Sequence, residues 1–191
     1  MKISCIILGG GKSSRIGQDK IFLKLNNNYM INHIINTCKY FFEDTIVVVK
    51  NEEQKKELEK MTKEVKIVQD LNETYSPLAG IKEGIKKIKN DYVFITACDM
   101  PFINKKTIER LINRIQDRNC VLYKSGKKIE PFCAIYNKKI FDKSSLNKSL
   151  YSIIEKVEKK LLLPITEQES FFNINTKENL VLAEKSSHLR Q

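Results

Sequence analysis

Residues 2–8 form an apolar, isoleucine-rich run that ends abruptly in three consecutive glycines, Gly9, Gly10 and Gly11. A run of that length and composition reads as a buried strand. The glycines then let the backbone turn sharply and come close to a ligand. Successive backbone N–H groups in such a loop form an anion-binding concavity, and Lys12, Arg15 and Lys20 add cationic heads around it. The simplest ligand for that set is a phosphate chain; the plainer alternative is a basic surface turn. Two familiar glycine motifs do not fit. P-loop spacing puts its first glycine at Ile6, inside the strand. The dinucleotide fingerprint accepts Gly9 and Gly11 but meets Ser14 where its third glycine belongs, and Lys50 rather than an acidic residue follows the second strand.

Strand and helix patterns alternate from there. Residues 29–42 carry Met30, Ile31, Ile34, Ile35, Cys38 and Phe41 on one helical stripe. Thr45–Val49 reads as a short buried strand, residues 52–62 as a charged surface helix, and residues 65–69 as a third strand that stops at Asp70. Pro77 opens a helix running to about residue 89, because proline at the first helical position gives up an N–H that has no intrahelical partner. Tyr92–Ala97 is a continuous apolar strand ending in Cys98-Asp99-Met100-Pro101-Phe102, and residues 105–118 form a helix. The remainder is less regular. It reads as strands at 120–123 and 131–136 around a basic turn at 124–128, a helix at 151–157, a strand at 161–165 and a last helix at 177–184 capped by Thr176. The tail from residue 186 is expected to be frayed.

Alternating strands and helices imply a parallel sheet with right-handed crossovers. The expected architecture is α/β: a single-domain, three-layer α/β sandwich over residues 1–191 with a mostly parallel, Rossmann-like sheet. Ligands of such sheets bind at the carboxyl ends of the strands. The glycine loop, Asp70 and Asp99 all fall at such ends, so they can converge although they are far apart in the chain.

Composition narrows the class. The 191 residues, 41% of them hydrophobic, suit one soluble domain with a real core. No apolar run approaches the roughly 18–20 residues of a membrane span, and the N-terminus enters a strand without a signal-peptide pattern. The expected location is the cytoplasm. The five cysteines, Cys5, Cys38, Cys98, Cys120 and Cys133, are odd in number with no CxxC spacing, and read as core thiols. The net charge of +11 comes from lysines scattered as pairs along the chain. A basic nucleotide- or nucleic-acid-binding protein is the non-enzymatic alternative that this charge raises. Without a lysine block or interleaved aromatics, solvated faces explain most of it, and neither nucleic acid nor membrane is expected as a partner.

Asp99 is the leading candidate for chemistry. A carboxylate at the end of an apolar strand is suited to Mg²⁺, which shares hard oxygen ligands with substrate phosphates; a turn-forming or capping Asp is the alternative. Asp70 carries the weaker local case. Asn173-Ile174-Asn175-Thr176 can hydrogen-bond a ligand or tie down a helix start. His33 and His188 have no metal-spaced partner, and no Ser-His-Asp or Cys-His arrangement is suggested.

The stretch Leu8-Gly9-Gly10-Gly11-Lys12-Ser13-Ser14-Arg15-Ile16-Gly17-Gln18-Asp19-Lys20 resembles the opening of the molybdenum cofactor guanylyltransferase family, within the sugar-nucleotide-type nucleotidyltransferases. Ser76-Pro77-Leu78-Ala79-Gly80-Ile81, Cys98-Asp99-Met100-Pro101 and Asn173-Ile174-Asn175-Thr176 resemble its later motifs, with Ser76 standing where the family has glycine. The resemblance implies a Mg²⁺-dependent nucleotidyltransferase that moves GMP from GTP to the phosphate of molybdopterin and releases pyrophosphate. It implies nucleotide contacts from Leu8, Gly9, Gly10, Gly11, Lys20, Asp70 and Asp99. Lys20, Arg15 and Asp99 would be catalytic, with Asp99 the metal ligand and Asn173 and Asn175 at the acceptor. It divides the chain into a nucleotide-binding half (1–118), an acceptor-binding half (119–185) and a flexible tail (186–191). The family asparagine after the second strand corresponds to Lys50 or Asn51. A CTP-dependent molybdopterin cytidylyltransferase and another small-molecule nucleotidyltransferase are the alternatives within the class. A molybdoenzyme or delivery chaperone is the expected recipient.

Overall fold

A computed structural model describes residues 1–9, 19–72, 76–142 and 149–188. In chain order the elements are β1 (Ile3–Leu8), the short hairpin β2 (Lys24–Leu25) and β3 (Asn28–Tyr29), α1 (Met30–Lys39), β4 (Thr45–Val49) and α2 (Glu52–Met61). Then come β5 (Lys66–Gln69), α3 (Pro77–Ile85), β6 (Tyr92–Ala97) and α4 (Lys105–Ile112). The chain closes with β7 (Cys120–Ser125), β8 (Lys128–Asn137), α5 (Leu150–Glu155), β9 (Lys160–Pro164) and α6 (Lys177–His188). One-turn 3₁₀ helices cover Lys20–Phe22, Lys138–Phe141 and Gln168–Phe171.

Seven strands form one sheet in the order β5-β4-β1-β6-β8-β7-β9. Four of its six pairings are parallel; β8 runs antiparallel to both of its neighbours. Strand residues alternate between two cores, as a period of two demands. Cys5, Ile7, Val47 and Phe94 pack with α1, α2 and α4 on one face. Ile6, Leu8, Val48 and Ile95 pack with α3 and α5 on the other. The result is the expected three-layer α/β sandwich.

Several boundaries differ from the sequence expectation, each for a local reason. Asn26 and Asn27 adopt positive φ (51° and 62°) and close the hairpin β2–β3, a turn chemistry that asparagine tolerates. This hairpin takes Tyr29, read as the first residue of the first helix. The helix opened by Pro77 stops at Ile85, not near residue 89. The backbone N–H of Lys89 donates to Asp44 Oδ2 (2.8 Å) and that of Asn90 to Ser4 Oγ (3.3 Å), which pulls this segment onto the base of the sheet. The helix expected over 105–118 ends at Ile112, and Asp117 has φ +56° in the turns that follow. The last helix, α6, continues past its expected end at residue 184 to His188, and residues 189–191 of the expected frayed tail lie outside the described residues.

Candidate active site

Parallel pairing brings the carboxyl ends of four strands to one edge. The Gly9 N–H donates to Val48 O (2.8 Å), Cys98 N–H to Leu8 O (2.9 Å) and Asp70 N–H to Val49 O (2.7 Å). Residues just beyond β1, β4, β5 and β6 are thereby fixed side by side. Gly9 is held too tightly for a side chain: a Cβ there would lie 2.5 Å from Ile21 Cδ1 and 3.2 Å from Val48 O. The candidates Gly10, Gly11 and Arg15 lie outside the described residues.

Lys20 leaves the glycine loop on its 3₁₀ turn and reaches two candidates from distant parts of the chain. Its Nζ donates to Asn175 Oδ1 (2.5 Å) and lies 3.5 Å from Asp99 Oδ2. Both charged side chains are largely covered, Lys20 14% and Asp99 22% exposed. The Ile174 N–H donates to Asp99 O (2.9 Å), so the segment holding Asn173 and Asn175 is stitched to the loop after β6. The capping task falls to neighbours: Asn179 N–H donates to Thr176 Oγ1 (3.2 Å), and Asn175 N–H to Asn179 Oδ1 (3.3 Å). The Asn175 side chain is left to hold Lys20, while Asn173 donates to Phe171 O (3.1 Å) and lines a cavity beside Asp99.

Burial pushes the Asp99 carboxyl above the ordinary Asp range, and the Lys20 ammonium pulls it only part of the way back. Burial likewise pushes the adjacent Cys98 thiol far up, beyond any reactive range. All five cysteines are buried and free, as core thiols should be. Asp70 accepts two bonds from Asn72, from the backbone (3.0 Å) and the side-chain amide (2.8 Å). Ser76, in the place of the family glycine, caps α3 by accepting from Ala79 N–H (3.3 Å). The same spacing brings Gly80 against Leu8 and Asp70, where a Cβ would sit 3.2 Å from Leu8 Cδ2 and 3.7 Å from Asp70 Oδ2.

After β4 the two alternatives separate. Asn51 caps α2 by accepting from Gln54 N–H (2.8 Å). Lys50 pairs through Nζ with Asp19, the residue before Lys20. Of the two, Lys50 is the one joined to the segment that leads into Lys20.

A cavity of about 290 Å³ opens beside Asp99, bounded by β1, β6, β8 and the starts of α3 and α5. Glu130, Phe132 and Tyr151 line it with Asp99 and Asn173. Sequence reasoning gave none of the first three a role, although Glu130-Pro131-Phe132 to Tyr136 resembles a looser stretch of the family pattern. The available signal was Pro131 inside an apolar strand, which marks an edge or a bulge rather than regular pairing.

No group of three His, Cys, Asp or Glu side chains suited to a metal occurs among the described residues. That pattern belongs to an all-protein metal cage. Mg²⁺ uses one or two carboxylates together with substrate phosphates and water, and the buried, charge-stressed Asp99 carboxylate fits that demand. No helix among the described residues is long and apolar enough to cross a membrane.

Comparison with known proteins adds lineage to this geometry. Residues 5–161 match the family model described as "MobA-like NTP transferase domain". A Clostridium perfringens (strain 13 / Type A) protein named "Probable molybdenum cofactor guanylyltransferase" is 36% identical, over 92% of this chain and 93% of its own. A Desulfosudis oleivorans protein named "Molybdenum cofactor guanylyltransferase" is 31% identical, over 95% of this chain and 94% of its own. Among solved structures, "Molybdopterin-guanine dinucleotide biosynthesis protein A" from Archaeoglobus fulgidus superposes with a TM-score of 0.82 at 24% identity, covering 98% of this chain and all (100%) of that one. At that identity it is evidence of fold.

Proposed function

The chain belongs to the MobA-like NTP transferase family, and on that premise we propose that it transfers GMP from GTP to the terminal phosphate of molybdopterin, releasing pyrophosphate. The relatives' names support the reaction. The observation that carries the residue roles is the meeting of Lys20, Asp99 and Asn175, which joins the beginning, middle and end of the chain at one point.

An oxygen of the acceptor phosphate attacks the α-phosphorus of GTP. The bond from that phosphorus to the oxygen bridging to the β-phosphate breaks, and pyrophosphate leaves with the electron pair. A phosphate monoester, with its second pKa near 6, is already anionic at neutral pH. No general base is required, which suits a site whose described residues bring a lysine and carboxylates but no histidine. Lys20 meets the negative charge that grows on the leaving phosphates. Its bonds to Asn175 and Asp99 hold the ammonium in place before substrate arrives. The backbone at Leu8 and Gly9 approaches the nucleotide, and Asp70 contacts it from the end of β5. Gly10, Gly11 and Arg15 would complete the phosphate cradle.

The family calls for a divalent cation, and Mg²⁺ is the ion we assign. Asp99 would hold it, and when bound it supplies charge neutralisation and orientation of the phosphates. Residues 1–118 serve the nucleotide and residues 119–185 the acceptor, and the product passes to a molybdoenzyme or a delivery protein. The direct test follows pyrophosphate with GTP, Mg²⁺ and molybdopterin. Release that requires all three is expected; a folded protein that releases none overturns the proposal.

A further inference from the structure

We infer that the cavity beside Asp99 seats the ring system of the acceptor, with the Glu130 carboxylate reading the hydrogen-bond-donor edge of that ring. The inference rests on the guanylyl-transfer reaction proposed above and assigns the part of the molecule that recognises the pterin.

The cavity has the size and lining of a small-molecule subsite. Its volume of about 290 Å³ lies just below the range of roughly 300–1,000 Å³ typical for ligand pockets. Leu8, Pro131, Phe132 and Tyr151 give it apolar and aromatic walls suited to a flat heterocycle. Asp99 stands at one side, so a ring placed here lies next to the group that handles phosphates.

Within those walls the Glu130 side chain is only 12% exposed, yet it carries a carboxylate. Lys128 Nζ bonds its Oε1 at 2.8 Å. A carboxylate has about four lone-pair sites, so one ammonium does not exhaust it. A pterin presents an amino group and a ring N–H side by side, two parallel donors that match a carboxylate as an arginine fork does.

The strand is built to present this residue. Along β7–β8 the register steps from Leu122 opposite Ala134 to Tyr123 opposite Glu130. Residues 131–133 are thus left without partners on β7. Pro131 has no N–H for a ladder, and its carbonyl accepts from Tyr136 Oη (2.8 Å) instead. Bulges of this kind re-aim side chains beside active sites.

Guanine carries the same donor edge as a pterin, so position must decide between them. Gly9 and Asp70 follow β1 and β5, whereas Glu130 lies on β8, on the far side of β6 from both. That order gives the Glu130 end of the cavity to the acceptor, while Leu8 and Pro77 bound it on the nucleotide side.

The test uses the full chain as wild type, E130Q, E130A and K128M. Pyrophosphate release is measured against molybdopterin at saturating GTP and against GTP at saturating molybdopterin. Molybdopterin binding is read separately by pterin fluorescence without nucleotide. Loss of a charged hydrogen bond in a covered pocket predicts that E130Q and E130A raise the molybdopterin KM and Kd about tenfold or more. The KM for GTP should stay within about twofold, and K128M should cost the acceptor under about threefold, because the reading group remains. E130Q preserves shape and answers the question if E130A fails to fold. Unchanged acceptor KM and Kd in E130Q, a shift that falls on GTP, or an equal loss in K128M would overturn the assignment. A wild type that makes no pyrophosphate from GTP and molybdopterin overturns the reaction beneath it as well, a different result from an active enzyme indifferent to Glu130.

Discussion

The two sides of the sheet deliver functional groups by opposite rules. In the parallel strands β5, β4, β1 and β6, each candidate follows its strand: Asp70 after β5, Lys50 after β4, Gly9 after β1, Asp99 after β6. In β8, which runs the other way, Glu130 and Phe132 come at the beginning of the strand and reach the same edge. On the proposed reading, the parallel side meets phosphates with a lysine and two partly covered carboxylates. The antiparallel side offers an aromatic wall and one covered acid. A mixed sheet thus places a polar, charge-handling surface next to a shape-reading one, with Asp99 on the seam.

If that division holds, substitutions on the seam and the parallel side should strike turnover, and those across it should strike acceptor affinity. The largest effect is expected at Asp99. Asp99→Asn should lower Mg²⁺-dependent kcat on the order of a thousandfold, since the carboxylate that would hold the cation against the phosphates is lost. The same variant checks the electrostatics. Burial raises the Asp99 pKa above its unfolded value, so its ionised form costs stability at neutral pH. That cost vanishes as pH falls through the raised pKa, the reverse of an Asp with a depressed value. Without metal, Asp99→Asn should melt at or above the wild-type temperature at pH 7, and the difference should close as pH is lowered. A melting temperature well below wild type at pH 7 would contradict this.

Lys20→Met comes next, with kcat reduced about a hundredfold and the molybdopterin Kd nearly unchanged. A loss confined to acceptor affinity would erase the boundary between the two sides. The roughly tenfold acceptor effect predicted at Glu130 sharpens the boundary from the other direction.

Gly84→Ala is the structural control within α3. A Cβ there would meet Ile6 Cδ1 at 2.7 Å, in a fully buried side chain. Overpacking of this kind costs about 1–3 kcal/mol, read as a lower denaturation midpoint, with both KM values unchanged. The smallest effect is expected at Lys50. Lys50→Met removes a partly exposed ion pair with Asp19 and should raise the GTP KM only a few-fold, with acceptor binding untouched.

The parallel side was also the legible one. Strands of continuous apolar residues, such as Thr45–Val49 and Tyr92–Ala97, have no solvent face to confuse the pattern, and the structure reproduces both to the residue. Their following residues then read as ligands. The hairpin at Asn26 and Asn27 was hidden because two-residue strands have no periodicity, and only the paired asparagines hint at positive φ. Glu130 was hidden because its role depends on strand direction and on a bulge, and both are set by pairing partners far along the chain. Lys50 and Asn51 could not be told apart until helix capping claimed Asn51. Asn175 looked like a cap by position, but Thr176 and Asn179 take that work and free its side chain for Lys20.

The most direct measurement follows pyrophosphate from GTP and from CTP separately, each with Mg²⁺, with and without molybdopterin. The account predicts release from GTP only, dependent on molybdopterin and abolished in Asp99→Asn. Release from CTP in place of GTP, or full activity in a folded Asp99→Asn protein, would contradict it.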